Sequence, residues 1–255
     1  MERDYQYGFA AQGGAMYDLR RREQKAHTMM AVLSDYFAGQ CKTLDTLTIG
    51  GSTGIIDNYL AQHFRSVTSI DIDAPAIAYA RATFQRSNLE FLVGDAMQIP
   101  FGAARFDVVI CSQVYEHVPD AGRMFAEILR VLKPGGVCYF AANNRLMLNE
   151  PHYNLPLLSV MPRPLAHLYI RLAGKAPHYY EKHLSYWGLT ALVARFVRHD
   201  YTRAIIEDPR RYAADYMLTP GSRKAAIARF LCRHAYWLVP GYIWLLEKPG
   251  GGPLR

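Results

Sequence analysis

The sequence predicts an α/β fold: a doubly wound, mainly parallel sheet of seven strands, with a helical cap inserted after the fifth strand. Three observations carry that expectation. Strand-like and helix-like segments alternate with short joints from residue 46 to residue 143. Residues 106–113, FDVVICSQ, form an almost unbroken apolar run, as expected of a strand covered on both faces. A glycine-rich turn, IGGSTG at 49–54, joins the first strand of the alternation to its first helix.

The elements follow in order. Residues 14–38 have helical spacing and end at Gly39, so 1–43 reads as an N-terminal helical segment. The core, 44–144, begins with a strand at 46–49 and a helix at 54–65. A second strand at 66–72 leads to a helix of small residues at 74–85. A third strand occupies 89–95 and the fourth 106–113. An amphipathic helix at 120–132 is stopped by Lys133-Pro134-Gly135-Gly136, and 136–143 makes the fifth strand. Residues 145–187 break the alternation: five prolines fall within 150–180 among large apolar and aromatic side chains, which reads as a cap of loops and short helices. The remainder, 188–255, completes the sheet. It holds a helix near 183–196 that overlaps the cap boundary, a strand at 201–206, a basic amphipathic helix at 222–239 and a last strand at 242–248.

Composition bounds the class. With 51% hydrophobic and 20% charged residues, a chain of 255 residues has enough apolar side chain for a proper core. The four cysteines, Cys41, Cys111, Cys138 and Cys232, are widely spaced, and two of them sit in apolar strands. Buried thiols in a reducing compartment are expected. The charged N-terminus lacks a signal-peptide core, and no apolar run is long enough to span a bilayer, so a cytoplasmic location is expected. Charge is uneven: residues 1–144 carry 13 basic and 15 acidic side chains, residues 145–255 carry 16 and 7. The basic half points to phosphate-bearing or membrane partners, or to a solvated surface.

In an open parallel sheet, ligands bind beyond the carboxyl ends of the strands. There the IGGSTG turn lets the backbone approach a ligand without Cβ clashes, and the next helix offers free N–H groups. The dinucleotide pattern G-x-G-x-x-G fails at Ser52 and Ile55, whereas G-x-G-x-G fails only at Ser52. The shorter cradle suits a cofactor without a pyrophosphate. Asp71, 21 positions after Gly50 at the end of the second strand, is placed to accept from ribose hydroxyls. Asp95, at the end of the third strand, can pair with an adenine amine while Met97 packs on the ring. Three ligand-type residues at three successive strand ends make one adenosine-binding set.

The stretches LTIGGSTG, SIDID, VGDAMQIPF, FDVVICSQVYEHVPD and ILRVLKPGG together resemble the class I S-adenosylmethionine-dependent methyltransferases, particularly the type 11 group. The resemblance covers roughly residues 44–143. It implies a Rossmann-like sheet, S-adenosyl-L-methionine as cofactor, and cofactor contacts from Gly50, Gly51, Ser52, Gly54, Asp71, Ile72, Asp95, Ala96, Met97 and Ser112, with no metal. Two positions depart from the family pattern. Thr48 stands where an acidic residue commonly meets the methionine ammonium, and Ser52 replaces the middle glycine.

His117, just past the fourth strand, is a candidate general base, because an imidazole near its unperturbed pKa serves at neutral pH. The alternative is a bracing role for the following helix; Glu116 shares that ambiguity, and Tyr115 can simply line the pocket. The cap is expected to select the acceptor through His152, Tyr153, Tyr180, His183 and Tyr186, with Tyr179 and Trp187 as further candidates. The helix at 222–239 has three readings: peripheral contact with a membrane, attraction of nucleic acid (disfavoured, since no RNA-binding motif is present), or ordinary packing on the sheet. The leading function is methyl transfer to a hydroxyl of a small-molecule, glycan or lipid-linked, phosphorylated acceptor. A nicotinamide-dependent oxidoreductase and a non-catalytic binding or assembly protein are the alternatives. The sequence leaves the oligomeric state open.

Overall fold

The structure is a computed structural model and describes residues 6–12 and 14–250. In chain order the strands are β1 (Asp45–Ile49), β2 (Ser66–Asp71), β3 (Leu89–Val93), β4 (Phe106–Ser112), β5 (Leu132–Asn143), β6 (Asn149–Glu150), β7 (Leu155–Pro156), β8 (Val197–Asp200) and β9 (Gly241–Glu247). The helices are α1 (Leu19–Tyr36), α2 (Ile55–Leu60), α3 (Ala74–Thr83), α4 (Ala121–Val131), α5 (Arg163–Leu172), α6 (Tyr186–Leu192), α7 (Tyr201–Glu207) and α8 (Arg223–His234). Seven strands form one sheet in the order β3-β2-β1-β4-β5-β9-β8, and β6 with β7 makes a small hairpin in the cap. β9 runs antiparallel to β5 and β8, whereas β1 to β5 pair in parallel. This is the doubly wound α/β sheet, with the topological switch between β1 and β4.

Each helix lies where its apolar stripe can be buried. In α1, Ala26, Met29, Met30 and Leu33 follow an i, i+3, i+4, i+7 pattern and are all buried. They share one core with Leu60 of α2, Ile205 of α7 and the Val108, Ile110 and Tyr139 side of the sheet. On the other face, Met124 and Ile128 of α4, Leu189 of α6 and Cys232 of α8 pack against Leu47, Val109, Phe140 and Trp244. Residues 106–111 of β4 are buried throughout, because that strand lies at the centre with helices on both sides. All four cysteines are buried and unpaired with one another. Asp18, Asp73 and Asp120 cap α1, α3 and α4, each carboxylate accepting from a backbone N–H three residues on.

Two expectations are corrected. Residues 201–207 are a helix, not a strand. Asp200 caps it by accepting from the Thr202 N–H at 3.0 Å, and Thr202, Ile205 and Ile206 form its buried face. The edge strand is the preceding β8, which pairs with β9. The Lys133-Pro134-Gly135-Gly136 stretch is not a turn before β5 but an irregular start within it. The register shifts between Phe106 and Val108, Gly135 has φ +75°, and a Cβ on Gly136 would meet the Asp107 carbonyl at 2.9 Å.

Candidate active site

One cavity of about 1340 Å³ opens at the carboxyl ends of β1, β2, β4 and β5. Of the residues expected to bind the cofactor, Gly50, Gly51, Ser52, Asp71, Ile72, Asp95, Ala96, Met97 and Ser112 line it. Gly54 does not. It adopts φ +76° at the start of α2, where a Cβ would meet the Phe91 ring and Ala80 within 2.8 Å, so its role is to let α2 pack on β3 and α3.

The turn is held from below. Ser52 takes a left-handed φ of +53° and donates its N–H to Asp71 Oδ2 at 2.8 Å, while Asp71 Oδ1 accepts from the Asp73 N–H at 2.9 Å. Burial pushes the Asp71 carboxyl up, and these backbone donors pull it back. Asp95 folds its own loop by accepting from the Met97 N–H at 2.9 Å. Beneath the turn lies a carboxylate that the sequence reading passed over. Asp57, fully buried on α2, accepts from the Ser69 hydroxyl at 3.0 Å beside Thr48. Burial raises it to about 6, against the pull of the Thr48 and Ser69 hydroxyls and Arg22. The acidic group missing at Thr48 thus reappears next to it on the following helix, but below the cavity wall.

The N-terminal segment contributes more than a helix. Gln6, Phe9, Met16, Arg22 and Lys25 all line the cavity. The segment is tied down by three bonds: the Ala10 N–H to Asp73 Oδ2, the Thr53 hydroxyl to the Met16 carbonyl, and the Gln6 amide to the His117 carbonyl. Arg22 faces Asp57 and Asp71; burial lowers its pKa and those two carboxylates raise it. Its Nε is buried without a hydrogen-bond partner. Nothing in the charge run RRREQK distinguishes this arginine from its solvated neighbours, which is why sequence reasoning missed it.

At the end of the cavity away from the glycine turn, the cap closes on the turn after β4. The Tyr115 hydroxyl donates to the Asn143 carbonyl at 2.7 Å and accepts from the Leu184 N–H at 3.1 Å; Lys182 N–H donates to the Glu116 carbonyl at 2.9 Å. His117, His152, Tyr153, Tyr180 and Glu181 line the cavity here. His183 stands behind them, buried, with Nε2 3.2 Å from Glu150 Oε1. Tyr186 lies in an aromatic cluster with Tyr236, Tyr242 and Trp244. Neither reaches the cavity, because Glu150 draws the first inward and ring packing holds the second. Tyr179 is buried in the small cap core, and Trp187 is an exposed surface ring tilted against Trp237.

His117 is not the near-neutral imidazole that its position suggested. Burial, with the neighbouring His152 and His183, pushes it down to about 3, leaving a neutral and weakly basic ring. Burial raises Glu116 and Glu181. Glu150 goes the other way despite its burial: hydrogen bonds to His152 and His183 hold it at about 2.

The residues fit the adenosyl-methionine ligand. The glycine turn leaves the backbone bare, and the carboxylates of Asp71 and Asp95 stand at the cavity wall as hydrogen-bond acceptors of the kind that ribose hydroxyls and an adenine amine need. The buried Arg22 Nε, Ser52 Oγ and Gln113 Oε1 have no hydrogen-bond partner, and all three residues line the cavity. A polar ligand would satisfy them. The Arg22 guanidinium is a cation of the kind an amino-acid carboxylate would need.

Residues 47–140 match the methyltransferase domain family. The ubiquinone biosynthesis O-methyltransferase of Coxiella burnetii is 34% identical over 101 residues, 39% of this chain and 43% of that protein. The protein of the same name from Psychrobacter cryohalolentis is 30% identical over 162 residues, 60% of this chain and 59% of that one. The chain therefore spans about half the length of the curated relatives it matches. Among solved structures, an S-adenosylmethionine-dependent methyltransferase from Methanosarcina mazei superposes with a TM-score of 0.56 at 20% identity, covering 86% of this chain and 98% of that chain. At that identity the likeness shows the fold.

Proposed function

We propose that this chain, whose residues 47–140 match the methyltransferase domain family, is a class I S-adenosylmethionine-dependent methyltransferase that transfers a methyl group to a hydroxyl of a small-molecule or lipid-linked acceptor. The observation that carries the reading is the single cavity: the adenosyl-binding strand ends and the aromatic, acidic face of the cap open into the same space. Its volume of about 1340 Å³ exceeds the roughly 300–1,000 Å³ of a pocket for one drug-sized ligand. There is room for a cofactor and an acceptor together. The O-methyltransferase names of the relatives support oxygen as the atom methylated.

When bound, S-adenosyl-L-methionine supplies an electrophilic methyl group on a sulfonium. The chain's own part is to hold, align and deprotonate. Asp71 and Asp95 hold the adenosine end, and Arg22 the amino-acid carboxylate. Gln6, Phe9 and Met16 cover the site from the N-terminal side and exclude water. Tyr153 and Tyr180 flank the acceptor. The hydroxyl proton goes to Glu181, which lines the cavity with Oε2 buried and unpartnered, rather than to His117. Glu181→Gln is expected to lower kcat at least ~100-fold, the usual range for a lost general base, with unchanged affinity for S-adenosylhomocysteine.

The far end of the cavity is apolar, bounded by Leu218, Ile227, Leu231 and Val239. Ile227, at the cavity's rim, is 60% exposed; outside it Phe230 is 62% exposed beside Arg233, and the Trp237 ring lies tilted against Trp187 with centroids 5.5 Å apart. An apolar tail entering past α8 from a membrane surface accounts for both faces of that helix. Among the described residues no helix is long and apolar enough to cross a membrane. A screen of quinone-precursor, phenolic and glycan acceptors for S-adenosylhomocysteine release tests the proposal. Release with a hydroxyl acceptor, lost when that hydroxyl is blocked, supports it; release with amine acceptors alone counts against it.

A further inference from the structure

We propose that Glu116, His117 and His152 form a binding site for a divalent first-row transition-metal ion at the acceptor end of the cavity. One ligand-type atom from each of the three lies within 4.8 Å of the other two. Donors around one ion at about 2.0–2.1 Å sit roughly 3 Å apart, so small side-chain rotations close the gap. The His117 and His152 rings meet at right angles with centroids 4.9 Å apart. The second, independent observation is the Glu116 carboxylate. It is 1% exposed, and neither of its oxygens has a hydrogen-bond partner. A buried carboxylate in that condition is costly unless a cation meets it.

The surroundings have the form of a metal site's supporting shell. Glu150 Oε1 lies 2.6 Å from His152 Nδ1, which fixes the ring and leaves Nε2 as the available nitrogen. The same carboxylate is anchored by the His152 and Tyr153 backbone N–H groups at 2.9 and 3.0 Å and by His183 at 3.2 Å. Two imidazoles and one carboxylate suit Zn²⁺, Co²⁺ or Mn²⁺ rather than Mg²⁺ or Ca²⁺, which prefer all-oxygen sets. Glu116 and His117 come from the turn after β4 and His152 from the cap, so the ion would pin cap to core. Three protein ligands leave a position open where His117 and His152 line the cavity. Only the assignment of that position to an acceptor oxygen rests on the methyl-transfer reading; the ion site itself stands on these side chains.

The test uses the full chain, stripped with chelator and desalted, titrated with Co²⁺, Zn²⁺ and Mg²⁺ by calorimetry. Co²⁺ absorption serves as a spectroscopic signature, and S-adenosylhomocysteine binding is measured on the same samples. Expected are one Co²⁺ or Zn²⁺ per chain, bound more tightly than Mg²⁺. Affinity should fall about tenfold or more in Glu116→Gln and His152→Ala, and stay unchanged in His178→Ala, an exposed cap histidine outside the cluster. Unimpaired S-adenosylhomocysteine binding in Glu116→Gln shows that this near-isosteric variant is folded. No saturable Co²⁺ binding, equal binding in Glu116→Gln, or a preference for Mg²⁺ overturns the site. Loss of the methyltransferase reading would show separately, as absent S-adenosylhomocysteine binding with Co²⁺ binding intact.

Discussion

Gly51 cannot be larger in this fold. A Cβ there would overlap the Ser69 hydroxyl and lie 2.7 Å from the Asp57 carboxylate, the pair that supports the turn from below. Gly51→Ala is expected to cost about 1–3 kcal/mol in chemical denaturation, the usual range for overpacking. The loss should shrink in the Gly51→Ala/Ser69→Ala double variant, because the closest contact is removed. Asp57 makes a pH prediction. Its folded value of about 6 stands above the 3.8 of the free group, so the stability linked to its protonation is full below pH 3.8 and is lost as pH rises through 6. Asp57→Asn should remove that fall from the stability profile measured between pH 4 and 7. In the proposed reading Arg22 and Asp71 hold the cofactor. Hydrogen bonds to charged groups are worth about 1.5–3 kcal/mol, so Arg22→Met and Asp71→Ala should each weaken S-adenosylhomocysteine binding about 10- to 100-fold.

At the scale of elements, what was legible depended on how local the cause was. The turn after β1, Asp71 at the end of β2 and Asp95 after β3 could be found because each sits a fixed step past an apolar run. Residues 201–207 were misread because Ala204-Ile205-Ile206 looks like a strand taken alone. Asp200 and the Thr202, Ile205, Ile206 spacing decide for a helix. The cap's Glu150–His183 contact spans 33 positions and leaves no local pattern. Arg22 was hidden for a similar reason, since only the fold shows which arginine of a run turns inward. For α8 the periodicity was visible, and the structure adds that Ile227 and Phe230 remain exposed while Cys232 and Ala225 are buried. Arg223→Glu/Arg233→Glu is expected to abolish salt-sensitive co-sedimentation with anionic vesicles. Equal pelleting of both proteins would remove the membrane contact from the account.

In the whole molecule a doubly wound sheet lies under a cap formed by the segment after β5. The order β3-β2-β1-β4-β5-β9-β8 brings the carboxyl ends of β1 to β5 to one side, and the N-terminal segment, the cap and α8 line the cavity there. The N-terminal segment covers one side of the cavity, His117, His152 and Glu181 wall another, and Ile227 and Leu231 of α8 line an apolar part of it. The core was readable because doubly wound folds repeat a local grammar of strand, turn and helix. The cap was readable only as a region, because its chemistry comes from side chains far apart in sequence. The central claim is that the glycine turn, Asp71 and Arg22 hold an adenosyl-methionine ligand in that cavity. Calorimetric titration of the full chain with S-adenosylhomocysteine tests it most directly. The account predicts saturable one-site binding that falls at least about tenfold in Asp71→Ala. Absence of binding at millimolar ligand, or binding unaffected by Asp71→Ala, would contradict it.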